Sequence, residues 1–76
     1  MPKLVTITPK QQIKLLEQLG FTKRDAAGSH TLFRHPDGRT NTVAVKQKEL
    51  GRGLLRKILR DIELSVVEYE NLRRKL

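Results

Sequence analysis

Residues 28–45, GSHTLFRHPDGRTNTVAV, have the pattern of a β-hairpin. The segments 30–35 and 40–45 contain β-branched and aromatic residues, which favour extended strands. Between them lies Asp37-Gly38, a pair that can supply the positive φ angles of a two-residue turn. We therefore predict two antiparallel strands over these segments, joined by a turn centred on Asp37 and Gly38.

This turn determines which residues of the two strands face each other. The predicted pairs, all on one face of the sheet, are His30 with Val45, Leu32 with Val43, and Arg34 with Asn41. The loop 46–53 then leaves the sheet beside His30. It brings the N-terminus of the next helix and three cations to that end, namely Lys46, Lys48 and Arg52. Because a helix N-terminus offers free backbone N–H groups and a partial positive charge, we predict a phosphate seat next to an imidazole.

Helical and extended patterns also precede the hairpin. Thr8, Pro9 and Gln11 form a capping box with proline in the first turn, and Gly20 can end the helix that follows. The expected buried residues of this helix are Ile13, Leu15, Leu16 and Leu19. A weaker pattern predicts a first strand over residues 21–26.

Further helices are predicted after the hairpin. Apolar residues at helical spacing begin near Gly53, and Ser65 with Glu68 forms a second capping box that predicts a last helix from Val66. The expected core residues of the earlier helix are Leu54, Leu55, Ile58, Leu59 and Ile62. Residues 1–76 are thus predicted to form a single α+β domain of order α-β-β-β-α(-α), with a three-stranded antiparallel sheet packed on helices.

Charge and composition narrow the class of partner. Sixteen Lys and Arg against eight Asp and Glu give a formal charge of +8 and a pI of about 10.5. RNA, DNA, an anionic membrane and an acidic protein all suit this charge. The chain has no cysteine, and we expect neither a structural metal nor a cofactor. No long apolar run follows Met1, so we expect no signal peptide, no membrane span and a cytoplasmic location.

His30 is the candidate catalytic residue. Metal-free RNA cleavage needs a base for the 2′-hydroxyl, an acid for the leaving oxygen and cations for the charge on the phosphorane. An imidazole can be the acid or the base near neutral pH. His35 lies roughly 16 Å further along the strand and on its other side, so His30 would act with nearby Lys and Arg, or with Ser29. On the residues alone, His30 also fits a satisfied histidine at the core edge, and His35 fits a structural or RNA-contacting role.

A basic stripe follows on the helix after the sheet. Arg52, Arg56 and Arg60 recur every four residues, which places them on one face with Lys57 beside them. We call these three residues the arginine stripe. It suits contact with RNA phosphates or with an acidic protein, and it equally suits an ordinary solvated helix face.

Several motifs, in this order, resemble the HicA toxin family of type II toxin–antitoxin systems. They are residues 8–21, the triplet Gly28-Ser29-His30, residues 33–38 (FRHPDG) and residues 53–59 (GLLRKIL). The resemblance runs from about Lys3 to Tyr69. It implies a fold like a double-stranded-RNA-binding domain, mRNA interferase activity that stops translation, and a HicB antitoxin that neutralises the toxin. It also places the family's catalytic histidine at His30. Members often carry proline and histidine at the end of the third strand, where this chain has Ala44 and Lys46.

We therefore expect the toxin of a toxin–antitoxin system, a metal-independent endoribonuclease that acts on mRNA with His30 as general acid or base. The candidate RNA-binding or phosphate-binding residues are Gly28, Ser29, Lys46, Lys48, Arg52 and Arg56. Two other functions suit the residues: a non-catalytic RNA-binding module of the same fold, and a basic adaptor for an acidic protein. Replacing His30 distinguishes the nuclease from the binding module, and absence of RNA affinity at low salt favours the adaptor.

Overall fold

The computed structural model of the protein describes residues 4–76, and Met1 to Lys3 of the predicted domain lie outside the described part. Its elements are α1 (Pro9–Gln18), β1 (Thr22–Ala27), β2 (His30–Arg34), β3 (Thr40–Ala44), α2 (Arg52–Asp61) and α3 (Val66–Arg73). The strands form one antiparallel sheet in the order β1-β2-β3. The predicted α+β fold is confirmed, and the predicted strand ends differ from the observed ones by at most one residue.

The start and end of α1 follow from local chemistry. The Thr8 hydroxyl accepts a hydrogen bond from the Gln11 N–H, and the Gln11 side chain accepts one from the Thr8 N–H at 2.9 Å. These are the reciprocal bonds of a capping box. At the other end, Gly20 adopts a φ of 95° just after the cap residue Leu19, so the chain leaves the helix without steric cost.

The hairpin contains a three-residue loop, not the predicted two-residue turn. The His35 N–H donates to the Arg39 carbonyl at 2.8 Å, and the Gly38 N–H donates to the His35 carbonyl at 2.9 Å. Gly38 has a φ of 101°, the left-handed residue that completes a three-residue loop built on a type I turn. The additional loop residue shifts the pairing of the two strands by one position.

The predicted strand register is therefore wrong. The observed pairs are His30 with Ala44, Thr31 with Val43, Leu32 with Thr42, Phe33 with Asn41, and Arg34 with Thr40. Side chains alternate between the two faces of a sheet. When the pairing shifts by one residue, each side chain of β3 therefore lies on the face opposite to the predicted one. Val43 and Asn41 consequently face the core with Phe33, and His30 is exposed on the opposite, outer face. The prediction that His30 shares a face with Val43 is wrong for the same reason.

The core lies between the inner face of the sheet and the helices. Its buried apolar residues are Leu4, Ile7, Leu15, Leu16, Phe21, Phe33, Val43, Leu50, Leu55, Ile58, Leu59, Ile62 and Tyr69. Ile13 and Leu19 are only partly buried against it. Leu54, predicted as core, is 40% exposed, because it lies in the first turn of α2, where the helix borders an open cleft.

The last helix is tied to the start of the described chain. The Ser65 hydroxyl accepts a hydrogen bond from the Glu68 N–H at 3.1 Å and begins α3. Tyr69 is fully buried, and its hydroxyl donates to the Val5 carbonyl.

Across residues 4–76, each helix is too short or too polar to span a membrane.

Candidate active site

His30 is the first residue of β2, and its side chain is exposed. Gly28, with a φ of 61°, makes the turn that leads into the strand, and the Val45 N–H donates to the Ser29 carbonyl at 2.9 Å. The Ser29 hydroxyl oxygen lies 3.5 Å from His30 Nδ1, which leaves Nε2 for other contacts. This exposure is inconsistent with the alternative in which His30 is a satisfied histidine at the core edge.

An open cleft of about 370 Å³ lies between β3 and α2, and His30 lines one end of it. The other lining residues are Thr40, Asn41, Thr42, Ala44, Gln47, Leu54, Lys57, Ile58 and Asp61. His30 reaches the cleft because its partner in β3 is Ala44, whose methyl group does not screen the ring. Lys57 supplies a positive charge to the same cleft. Within residues 4–76, no three His, Asp or Glu side chains are grouped closely enough to hold a metal ion.

The cations predicted to bind phosphate lie outside the lining of this cleft. Lys46 and Lys48 are exposed on the loop after β3, and Arg52 and Arg56 are exposed on α2. No side chain caps the N-terminus of α2 at Gly51, so its first N–H groups remain open to an anion, as the predicted phosphate seat requires. Contact between these four cations and RNA remains a prediction.

Lys57 joins His30 in the cleft, although sequence reasoning placed it only beside the arginine stripe. The signal that identifies it is its spacing on α2. Leu54, Lys57 and Asp61 are separated by three and four residues and therefore share one helix face. That face borders the cleft.

A buried polar pair behind the cleft was also missed. Gln12 in α1 is 1% exposed and Asn41 in β3 is 6% exposed. Gln12 Nε2 donates to Asn41 Oδ1 at 2.6 Å. The available signal was the position of Gln12, three and four residues before Leu15 and Leu16, on the buried stripe of α1.

His35 belongs to a structural cluster at the tip of the hairpin. Its ring packs edge-on against Phe21 with 5.1 Å between centroids, and its Nδ1 lies 3.0 Å from Asp37 Oδ1. Arg39 places its guanidinium 5.4 Å from the Phe21 centroid and pairs with Asp37 at 2.7 Å. These contacts hold the hairpin tip against the end of α1 and support the structural role predicted for His35.

Comparison with protein families relates this chain to known proteins. A family model described as the HicA toxin of bacterial toxin–antitoxin systems matches residues 9–64, which include α1, the whole sheet and α2. The chain belongs to the HicA toxin family. The resemblance inferred from its motifs is thereby confirmed, as is the double-stranded-RNA-binding type of fold. A comparison with curated proteins finds no match. As a member of the HicA family, the chain is the toxin of a toxin–antitoxin system and has an antitoxin partner.

Proposed function

We propose that this HicA-family toxin is an endoribonuclease that cuts mRNA, and that His30 is its catalytic residue. The observation that carries the proposal is the exposed position of His30 on an open cleft that also holds Lys57. An imidazole at this place can take the proton of an attacking 2′-hydroxyl or give a proton to the leaving 5′-oxygen. The products would be a 2′,3′-cyclic phosphate and a 5′-hydroxyl.

The phosphorane formed during this reaction carries additional negative charge, and cations near it lower the barrier. We assign this role to Lys57, because its side chain lines the cleft with His30. The predicted RNA-binding residues would hold the strand on either side of the cut: Gly28, Ser29, Lys46, Lys48, Arg52 and Arg56. Neither proton transfer nor charge stabilisation in this scheme requires a metal ion, so cleavage should persist in EDTA.

The antitoxin partner that we propose is of the HicB type. The arginine stripe on α2 is exposed along its length and would pair with an acidic surface of the antitoxin. The stripe and the cleft lie on the same helix, so an antitoxin bound there would compete with RNA. The site of action would be the cytoplasm, where the mRNA is.

The experiment is cleavage of an end-labelled single-stranded RNA by the purified chain in EDTA, with mapping of the new termini. We expect His30→Ala to lower the rate by about 10²–10⁴-fold, the usual contribution of a general acid or base. Lys57→Gln should lower the cleavage rate on the order of 10-fold. This effect is smaller than for a donor in an enclosed active site, because solvent in the open cleft screens the charge of Lys57. Lys23→Gln is the control, since it makes the same change on exposed β1, away from the cleft.

Strict dependence on a divalent ion would contradict this function, and so would cleavage that persists in the folded His30→Ala variant. RNA binding without cleavage by the unmodified chain would identify a non-catalytic RNA-binding module.

A further inference from the structure

The buried pair formed by Gln12 and Asn41 connects the helical layer to the cleft. Gln12 Nε2 donates to Asn41 Oδ1 at 2.6 Å and to the Thr42 carbonyl at 3.4 Å. A carbonyl only accepts hydrogen bonds, so the second contact fixes which end of the Gln12 amide faces β3. The first contact then assigns Oδ1 of Asn41 to Gln12.

This orientation determines what Asn41 can offer to the cleft. Asn41 lines the cleft even though the residue is largely buried. With its oxygen bound to Gln12, its remaining polar atom is the amide nitrogen Nδ2, which only donates. The side-chain polar atom of Asn41 that is left to bond a ligand in the cleft is therefore a neutral donor.

The distance from His30 indicates which part of a bound RNA would meet this donor. His30 of β2 pairs with Ala44 of β3. Asn41 precedes Ala44 by three residues on β3, so the backbone of Asn41 lies roughly 10 Å along the sheet from this pair, at about 3.3 Å per residue. A group at that distance is too far from His30 to touch the reacting phosphate. It is placed to meet a nucleotide beside the cut.

Stability alone does not account for the pair. Gln12 Oε1 is buried and accepts no hydrogen bond from the described residues, which carries an energetic penalty. Apolar side chains of the same shape would fill the space without that penalty. A polar pair that is costly to bury, with one member on the wall of a cleft, indicates a role in recognition.

We propose that Asn41 Nδ2 donates a hydrogen bond to an acceptor atom on the base of a nucleotide next to the cut, and that Gln12 is the positioning residue that holds it. Bases of single-stranded RNA expose such acceptors on their edges. The exposed lysines and arginines suit phosphate, whereas a neutral, oriented donor suits a base. The inference rests on the proposed function of this cleft as an RNA site.

The first test is the base preference of cleavage on a pool of randomised single-stranded RNA, read by sequencing the cut ends. Asn41→Asp keeps the bond from Gln12 and replaces the donor with an acceptor. The double change Gln12→Met with Asn41→Leu removes the polar pair and conserves its shape. In both variants, the preference for one base at one position beside the cut should be about 3- to 10-fold weaker. This factor corresponds to the contribution of one neutral hydrogen bond.

A role in packing alone predicts a different result. The double variant would then unfold at the same temperature as the unmodified chain, or higher, and would keep the full base preference. An unchanged base preference in a folded double variant would overturn the proposal. Thr22→Val, on β1 and outside the cleft, controls for general effects of substitution.

The second test separates this inference from the proposed catalysis. Binding of short RNAs that differ in one base is measured in the His30→Ala background, where cutting is not required. Discrimination between these RNAs that disappears on adding Asn41→Asp supports the inference even if the unmodified chain does not cut RNA. Equal affinity for all of them, or no affinity for any, would overturn it.

Discussion

Gly38→Ala tests the positive φ that the three-residue loop of the hairpin requires at Gly38. Gly38 has a φ of 101°, and a Cβ there would meet no atom within 4 Å, so the cost of the substitution is conformational. A left-handed conformation costs an L-residue about 1–2 kcal/mol. The lower entropy of alanine in the unfolded chain returns about 0.4–1 kcal/mol. The net loss of unfolding free energy should be about 1 kcal/mol, a fall in Tm of about 4–8 °C for a domain of this size.

The assay is urea and thermal unfolding followed by circular dichroism, with two controls. Gly53→Ala makes the same change within α2, where the added Cβ also meets no atom within 4 Å, and it should stabilise by about 0.5 kcal/mol because glycine is a poor helix former. D-alanine at position 38 favours positive φ and should restore the stability lost with L-alanine. If Gly38→Ala is as stable as the unmodified chain, the positive φ that the three-residue loop requires at Gly38 is refuted.

Four other outcomes follow from particular side chains. Tyr69→Phe removes the hydrogen bond to Val5 and should cost about 1 kcal/mol. Burial raises the pKa of Tyr69 to about 12, so the unfolding free energy should fall between pH 10 and 12, where only the unfolded chain loses the phenolic proton. A hydrogen bond from the Arg39 backbone N–H, together with the Arg39 guanidinium, holds the pKa of Asp37 below its usual value. Asp37 therefore stabilises the fold at neutral pH, this contribution is lost as the pH falls through the lowered pKa, and Asp37→Asn should remove it in acid titrations of stability. Lys57→Gln should reduce the slope of log affinity for single-stranded RNA against log salt by about 0.7, the value of one phosphate contact, in binding titrations at several salt concentrations.

Local chemistry was sufficient to predict the secondary structure. The capping residue Thr8, the terminating Gly20 and the second cap at Ser65 each act through neighbours a few residues away, so their effect is visible in the sequence. The register was not predictable in the same way. Asp37-Gly38 is compatible with a two-residue or a three-residue loop, and the choice depends on which strand residues can be buried against the helices.

In the candidate site, too, residues with a local motif were predicted and residues that depend on tertiary packing were not. His30 was predicted from its own motif, and the structure places it on a cleft. Lys57 and the pair Gln12 and Asn41 were missed, because these side chains reach the cleft or each other only when α1 and α2 pack against β3. Leu54 was placed in the core by its spacing, yet the helix face at that turn borders the cleft.

In the proposed function, His30 makes this chain an RNA-cutting toxin. The most direct measurement is growth after induced expression of the unmodified chain and of His30→Ala at matched protein levels, with mRNA integrity read from the same cultures. If His30 is the catalytic residue, the unmodified chain alone should cause growth arrest and mRNA decay. Equal mRNA decay with both proteins, or intact mRNA with both when each is folded, would contradict it.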